Sequence, residues 1–132
     1  MRYMLDTNIL IAMSKARPGL ATRLGNYLSS DILLSTVVLA ELEFGIAKST
    51  RQKHNRVVFD TLTRGFPIVP FDAAAAHQYG LLRASLERRG QLIGPNDLMI
   101  AAQALALGAV LVTDNLGEFS RVQGLVVENW LA

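Results

Sequence analysis

Apolar and polar positions in this chain alternate between short β-like runs and longer stretches at helical spacing. Tyr3–Leu5 is a brief apolar run stopping at an acid, which predicts a first strand. A helix follows from about Thr7 to Ser14, Pro18-Gly19 punctuates the chain, and a second helix is expected through Leu28. Ile32–Leu34 reads as a strand, after which Ser35 or Thr36 offers an N-cap for a helix running to Lys48. Arg51–Leu62 is predicted as a polar-faced helix with Val57, Val58, Phe59 and Leu62 as its apolar stripe. Pro67–Val69, closed by Pro70, gives a third strand. Asp72 is placed to cap a long helix through Arg89, which Gly90 ends. Pro95 suits the first position of a helix that Gly108 terminates, and that helix is apolar almost all round. Val110–Thr113 and Leu125–Val127 supply the last strands.

Short apolar strands separated by helices predict an α/β fold, with a central, mainly parallel sheet of about five short strands flanked by helices. No repeat, low-complexity tract or linker divides the chain, so residues 1–132 are expected to form a single domain. Half of the residues (51%) are hydrophobic and only 18% are charged, enough apolar surface for a core and too much for disorder. With no cysteine, disulfides, thiolate-held zinc and a thiol nucleophile are excluded. His54 and His77 are too few for an ordinary zinc site. They read as a surface residue and a position at the core edge. The net charge of +2 is too small to identify a partner. Asp6 interrupts the first apolar run too early for a signal peptide, and the run Leu98–Val112 is shorter than the ~20 residues of a membrane span. The expectation is a soluble, cytoplasmic protein with no membrane partner.

The acids stand where such a fold gathers ligands, at the carboxyl ends of parallel strands. Asp6 follows the first strand and Asp114 the fourth. Asp97 lies in the first turn of the apolar helix, with the small Ala101 and Ala104 on its face. Glu41 lies on the helix after the second strand, among Val37, Val38, Phe44 and Gly45. Each alone has an ordinary structural role: Asp6 as a helix cap, Asp97 as complement to a helix dipole, Glu41 as a solvated helix position, Asp114 as a turn residue. Together they would repel one another and raise each other's pKa values unless a cation compensates them. Carboxylate oxygens without sulfur or imidazole favour Mg²⁺, with Mn²⁺ as a substitute. The residues thus predict a metal-dependent phosphoryl-transfer or hydrolysis site.

Met4-Leu5-Asp6-Thr7-Asn8, the run Ser35 to Gly45 around Ala40-Glu41-Leu42, the run Ile93 to Ala102 around Asp97, and Leu111-Val112-Thr113-Asp114-Asn115 with Phe119 occur in the order of the motifs of PIN-domain nucleases. The tail from Val122 to Trp130 fits as well. Over essentially its whole length the chain resembles the VapC-type ribonuclease toxins of VapBC toxin–antitoxin systems. That resemblance implies a Mg²⁺-dependent endoribonuclease, inhibited by a small VapB-type antitoxin and commonly homodimeric. It implies metal binding by Asp6 and Asp97, with Glu41 completing the cluster and Glu43 either on the helix surface or supporting the cluster from behind. At the fourth motif either Asp114 or Asn115 fills the acidic position. Asp114 is taken here, with Asn115 able to add an oxygen or hydrogen bond. Thr7, Asn8, Ser35 and Thr113 are polar neighbours able to position the carboxylates.

An RNA substrate needs cations around an acidic centre, and three groups offer them: Arg17 with Arg23; Lys48, Arg51, Lys53 and Arg56; and Arg83 with Arg88 and Arg89. Single-stranded loops are the expected target, since their bases can be splayed out and read. Trp130 is expected to anchor the tail by packing. Competing readings are a PIN-like domain that binds RNA or protein without cutting, a nuclease acting on DNA, and a haloacid-dehalogenase-type phosphatase. The last wants a second Asp where this chain has Asn8.

Overall fold

The computed structural model describes residues 1–131. Strands β1 (Tyr3–Leu5), β2 (Ile32–Ser35), β3 (Ile68–Val69), β4 (Val110–Val112) and β5 (Val127–Glu128) form one all-parallel sheet in the order β3-β2-β1-β4-β5. Helices α1 (Thr7–Ser14), α2 (Leu20–Leu24), α3 (Thr36–Lys48), α4 (Gln52–Thr63), α5 (Ala73–Arg88), α6 (Pro95–Leu107) and α7 (Leu116–Phe119) provide the connections. α1, α3 and α4 pack together, α5 packs along α6, and α3 also meets α6. The sheet is buried as parallel sheets are: Met4, Leu5, Leu34, Leu111 and Val112 are sealed in a core completed by Ile9, Leu10, Leu86, Ile100 and Phe119. No helix among the described residues is long and apolar enough to cross a membrane.

β1 is central. Its partners are β2, with Tyr3 opposite Ile32, and β4, with Leu5 opposite Val112. The chain therefore proceeds outward from β1 in one direction to β2 and β3, and in the other to β4 and β5. Strand order reverses at the carboxyl ends of β1 and β4, where an open parallel sheet leaves a crevice.

The expected elements are present, with shifted ends. The second helix stops at Leu24 rather than Leu28, because Tyr27 leaves the helical path to stack on Trp130, ring centroids 4.9 Å apart, and to pack on Tyr3. Trp130 is buried there as the tail's anchor. The last strand lies two residues later than Leu125 at its start. It begins at Val127, which pairs with Leu111. Val57, assigned to the stripe of α4, is exposed, and Val58, Phe59 and Leu62 carry that packing half-buried. Gly108 closes α6 in the left-handed conformation at φ +63, where a side chain would be strained.

Candidate functional site

Asp6 is the first residue beyond β1 and the N-cap of α1. That geometry turns its carboxylate back over the helix start, where Oδ1 accepts the Thr7 amide at 2.8 Å. Oδ2 accepts the Thr113 hydroxyl at 2.8 Å and the Asn8 amide at 3.1 Å. With 4% of its surface exposed, Asp6 has its pKa raised by burial, against the pull of these three donors, and the charge of Asp114 adds a smaller push. The donors are themselves fixed: Asn8 Nδ2 also reaches Thr113 Oγ1 at 3.2 Å, and Asn8 Oδ1 accepts the Asp114 amide. Thr7, Asn8 and Thr113 thus surround Asp6. Ser35 stands apart, capping α3 through the Val37 amide and donating to Gln103.

Glu41 lies in the second turn of α3, on a cavity of about 760 Å³ that Thr7, Phe44, Lys48, Asn96 and Met99 also line. Its Oε1 is buried without a hydrogen-bond partner, as is Thr7 Oγ1. Burial and the charge of Asp6 raise its pKa. The Thr7 hydroxyl pulls the other way without reaching hydrogen-bond geometry. Glu43, one turn-face away, is exposed and bound to Arg56, which places it on the helix surface.

Asp97 occupies the first turn of α6, where Pro95 starts the helix. Its pKa is pushed up to about 8 by burial, by hydrogen bonding with Glu118, and by the charges of Asp6, Glu118 and Glu41. Glu118 is held below its ordinary value, first of all by that same hydrogen bond. Asn115 lies between them, its amide 3.4 Å from Asp97 Oδ2 and 3.3 Å from Glu118 Oε2. Both oxygens lie near Gly94, where an added Cβ would stand 3.8 Å from Asp97 Oδ2 and 4.0 Å from Glu118 Oε2, at ordinary contact distance.

The structure therefore brings Asp6, Glu41 and Asp97 into mutual electrostatic reach and adds Glu118, which the sequence reading did not single out. Its signal was present: Asn115 caps a short helix and Glu118 stands three positions later, the spacing at which a side chain turns back to the cap. Asp114 is exposed, beside a cavity shared with Lys15, Arg17 and Leu131, and acts on the cluster through its charge on Asp6 and its backbone amide on Asn8. Asn115, not Asp114, faces Asp97.

This donor set fits a divalent cation. It is all oxygen, it includes a buried carboxylate oxygen with no donor, and several of its pKa values are raised, so a positive charge would relieve both repulsion and desolvation. Among the described residues no three acids or histidines are drawn into a ready-made metal cage. Mg²⁺ does not need one, since it is commonly held by one or two carboxylates and keeps several waters.

The family model described as "PIN domain" matches residues 3–125. Ribonuclease VapC2 of Rickettsia felis is 40% identical over 132 residues, covering 98% of each chain. The tRNA(fMet)-specific endonuclease VapC of Shigella flexneri is 38% identical over 130 residues, again covering 98% of each. Among solved structures, VapBC2 from Rickettsia felis bound to a promoter DNA fragment superposes with a TM-score of 0.92 at 39% identity, over 98% of this chain and 99% of that one.

Proposed function

The chain belongs to the PIN-domain family, among ribonucleases of the VapC type, and on that footing we propose that it is a divalent-metal-dependent endoribonuclease and the toxin of a toxin–antitoxin pair. The observation that carries this reading is the meeting of Asp6, Glu41 and Asp97 from three separate elements, each held above its ordinary pKa by burial and by its neighbours. Asp6 and Asp97 would hold Mg²⁺, or Mn²⁺ in its place. The bound ion would polarise the scissile phosphodiester, favour ionisation of the attacking water and offset the charge that develops on the phosphate.

The chain's own residues do the rest. Thr7, Asn8 and Thr113 lock the Asp6 carboxylate in one orientation, so that little reorganisation is needed when charge moves. Glu41, its Oε1 buried without a donor, would add negative charge toward the ion. Positive charge at the site would bring the raised pKa of Asp97 down, and Asn115 keeps the Asp97 and Glu118 side chains in place. Asp114 tunes Asp6 through its charge. The proposed substrate is RNA presented in single-stranded loops. A VapB-type antitoxin is the proposed partner, as in the related VapBC complexes, and the protein is proposed to act as a cytoplasmic homodimer.

The test is cleavage of a mixed RNA pool by purified, antitoxin-free protein with Mg²⁺ and with EDTA, beside Asp97→Ala. Cleavage should require both the metal and Asp97, with matched DNA left intact. Equal cutting by wild type and Asp97→Ala would assign the activity to a contaminant. No cutting by a folded wild type would favour a binding-only domain.

A further inference from the structure

An acidic centre repels the phosphates it is meant to receive, so an RNA strand must be captured by cations placed away from it. The sequence holds 13 lysines and arginines, and the structure separates those already occupied from those free. Arg56 is committed to Glu43 and Asp60, and Arg83 to Glu87 and Tyr79. Arg23 is held by Glu128 and stacked on Trp130, while Arg17 and Arg89 bond backbone carbonyls. Six exposed cations make no ion pair or side-chain hydrogen bond among the described residues: Lys15, Arg64 and Arg88 stand apart from one another, whereas Lys48, Arg51 and Lys53 form a group. The members of that group fall within a few residues of one another at the elbow between α3 and α4.

We infer that this elbow is the backbone-phosphate subsite for an RNA strand leaving the carboxylate centre along α3. The inference rests on the nuclease reading above. Three observations converge on it. The cavity that reaches Glu41 also reaches Lys48, two helical turns or about 10 Å further along α3, so one groove leads from Glu41 to the first cation of the elbow. Beyond Lys48 the chain forms a second open cavity, of about 490 Å³, made by residues 49–54 and carrying Arg51, Lys53 and His54. The floor between is suited to a base: Phe44 is 66% exposed and lies on the groove, with Lys48 Nζ 5.0 Å from its ring centroid.

The elbow is built rather than frayed. Ser49 Oγ donates to the Ile46 carbonyl and Gln52 Nε2 to that of Ala47, which fixes the turn that carries the cations. The first turn of α4 contains no acid to offset them. A protein partner would meet the same charges, but unpaired cations joined by an aromatic-floored groove to a phosphodiester-cutting centre match a nucleic-acid backbone more closely.

The test uses a fluorescently labelled single-stranded RNA and anisotropy in EDTA, so that nothing is cut, over a series of salt concentrations. Wild type is compared with Arg51→Gln/Lys53→Gln, with Lys48→Gln, and with a control pair, Arg2→Gln/Arg64→Gln, at the amino end of β1 and the far end of α4. The substituted elbow residues are exposed and unpaired, so folding is expected to persist, with thermal melting as the check. Each elbow cation removed should weaken binding several-fold at low salt and flatten the log K against log salt slope by about 0.7. The control pair should leave both unchanged. Elbow variants that bind like wild type with the same slope overturn the inference while leaving the nuclease reading intact. A wild type that binds no RNA at any salt overturns both.

Discussion

Asp97 and Glu118 are shifted in opposite directions, the first raised and the second lowered. Asp97 is raised from an ordinary 3.8 to about 8, so between those values the folded protein keeps a proton that the unfolded chain has released. Stability of the metal-free protein should therefore fall as pH rises across that window and level off above it. The raised pKa values of Asp6 and Glu41 act in the same direction. Glu118 acts oppositely, since its folded pKa is lowered, but only at the acid end, below its ordinary 4.5. Urea denaturation in EDTA at several pH values should show the decline, and Asp97→Asn should flatten it and be the more stable protein at pH 8. A wild type as stable at pH 8 as at pH 5.5 would contradict this. Asp6, Glu41 and Asp97 were legible in the sequence because each sits in a run of specific neighbours. The choice between Asp114 and Asn115 was not, because side chains leaving β4 alternate: Thr113 is buried, Asp114 exposed, Asn115 turned inward. Which of two adjacent residues faces a crevice depends on that alternation, and spacing alone does not fix it.

A single buried amide governs how the helices bearing these acids are set. Gln103 is 1% exposed on a helix that reads as apolar all round. Its Nε2 donates to the carbonyls of Val69 at 3.0 Å and Pro70 at 2.9 Å, and its Oε1 accepts the Ser35 hydroxyl. Ser35 in turn caps α3, so Gln103 ties α6, which bears Asp97, to α3, which bears Glu41, and to the end of β3. Gln103→Leu would bury two carbonyls and a hydroxyl without these partners, at a cost of about 1–3 kcal/mol. The urea midpoint should drop with m unchanged, and a loss below about 0.5 kcal/mol would show that the tie is dispensable. Helix positions were legible from caps and terminators: Asp72, Pro95 and Gly108 act as their residue types suggest. The end of α2 was not, because the stacking of Tyr27 on Trp130 is a contact across the whole chain length that no local pattern contains.

Strand order is a property of the entire molecule, and strands of two to four residues specify little of it themselves. Alternating helices and apolar runs gave the α/β class. The central place of β1 follows only from its pairing with both β2 and β4, which puts Asp6 and Thr113 side by side at the point where the order reverses. An ion bound there would link β1 to α6, elements far apart in sequence, and would bind the folded state alone. Mn²⁺ should therefore stabilise the whole domain, by about 2.7 kcal/mol at a hundredfold excess over its dissociation constant. For a domain of this size that corresponds to a rise in Tm of roughly 8–14 °C. Below the raised pKa of Asp97 a proton competes with the ion, so the rise should be larger at pH 8.5 than at pH 6. Asp6→Asn should remove most of it while keeping the fold, because Oδ1 can still cap α1. Differential scanning calorimetry with Mn²⁺ against EDTA at the two pH values reads all of this. An Asp6→Asn protein stabilised as much as wild type would move the metal away from the switch point, whereas a loss confined to that variant and to low pH would place it between Asp6 and Asp97.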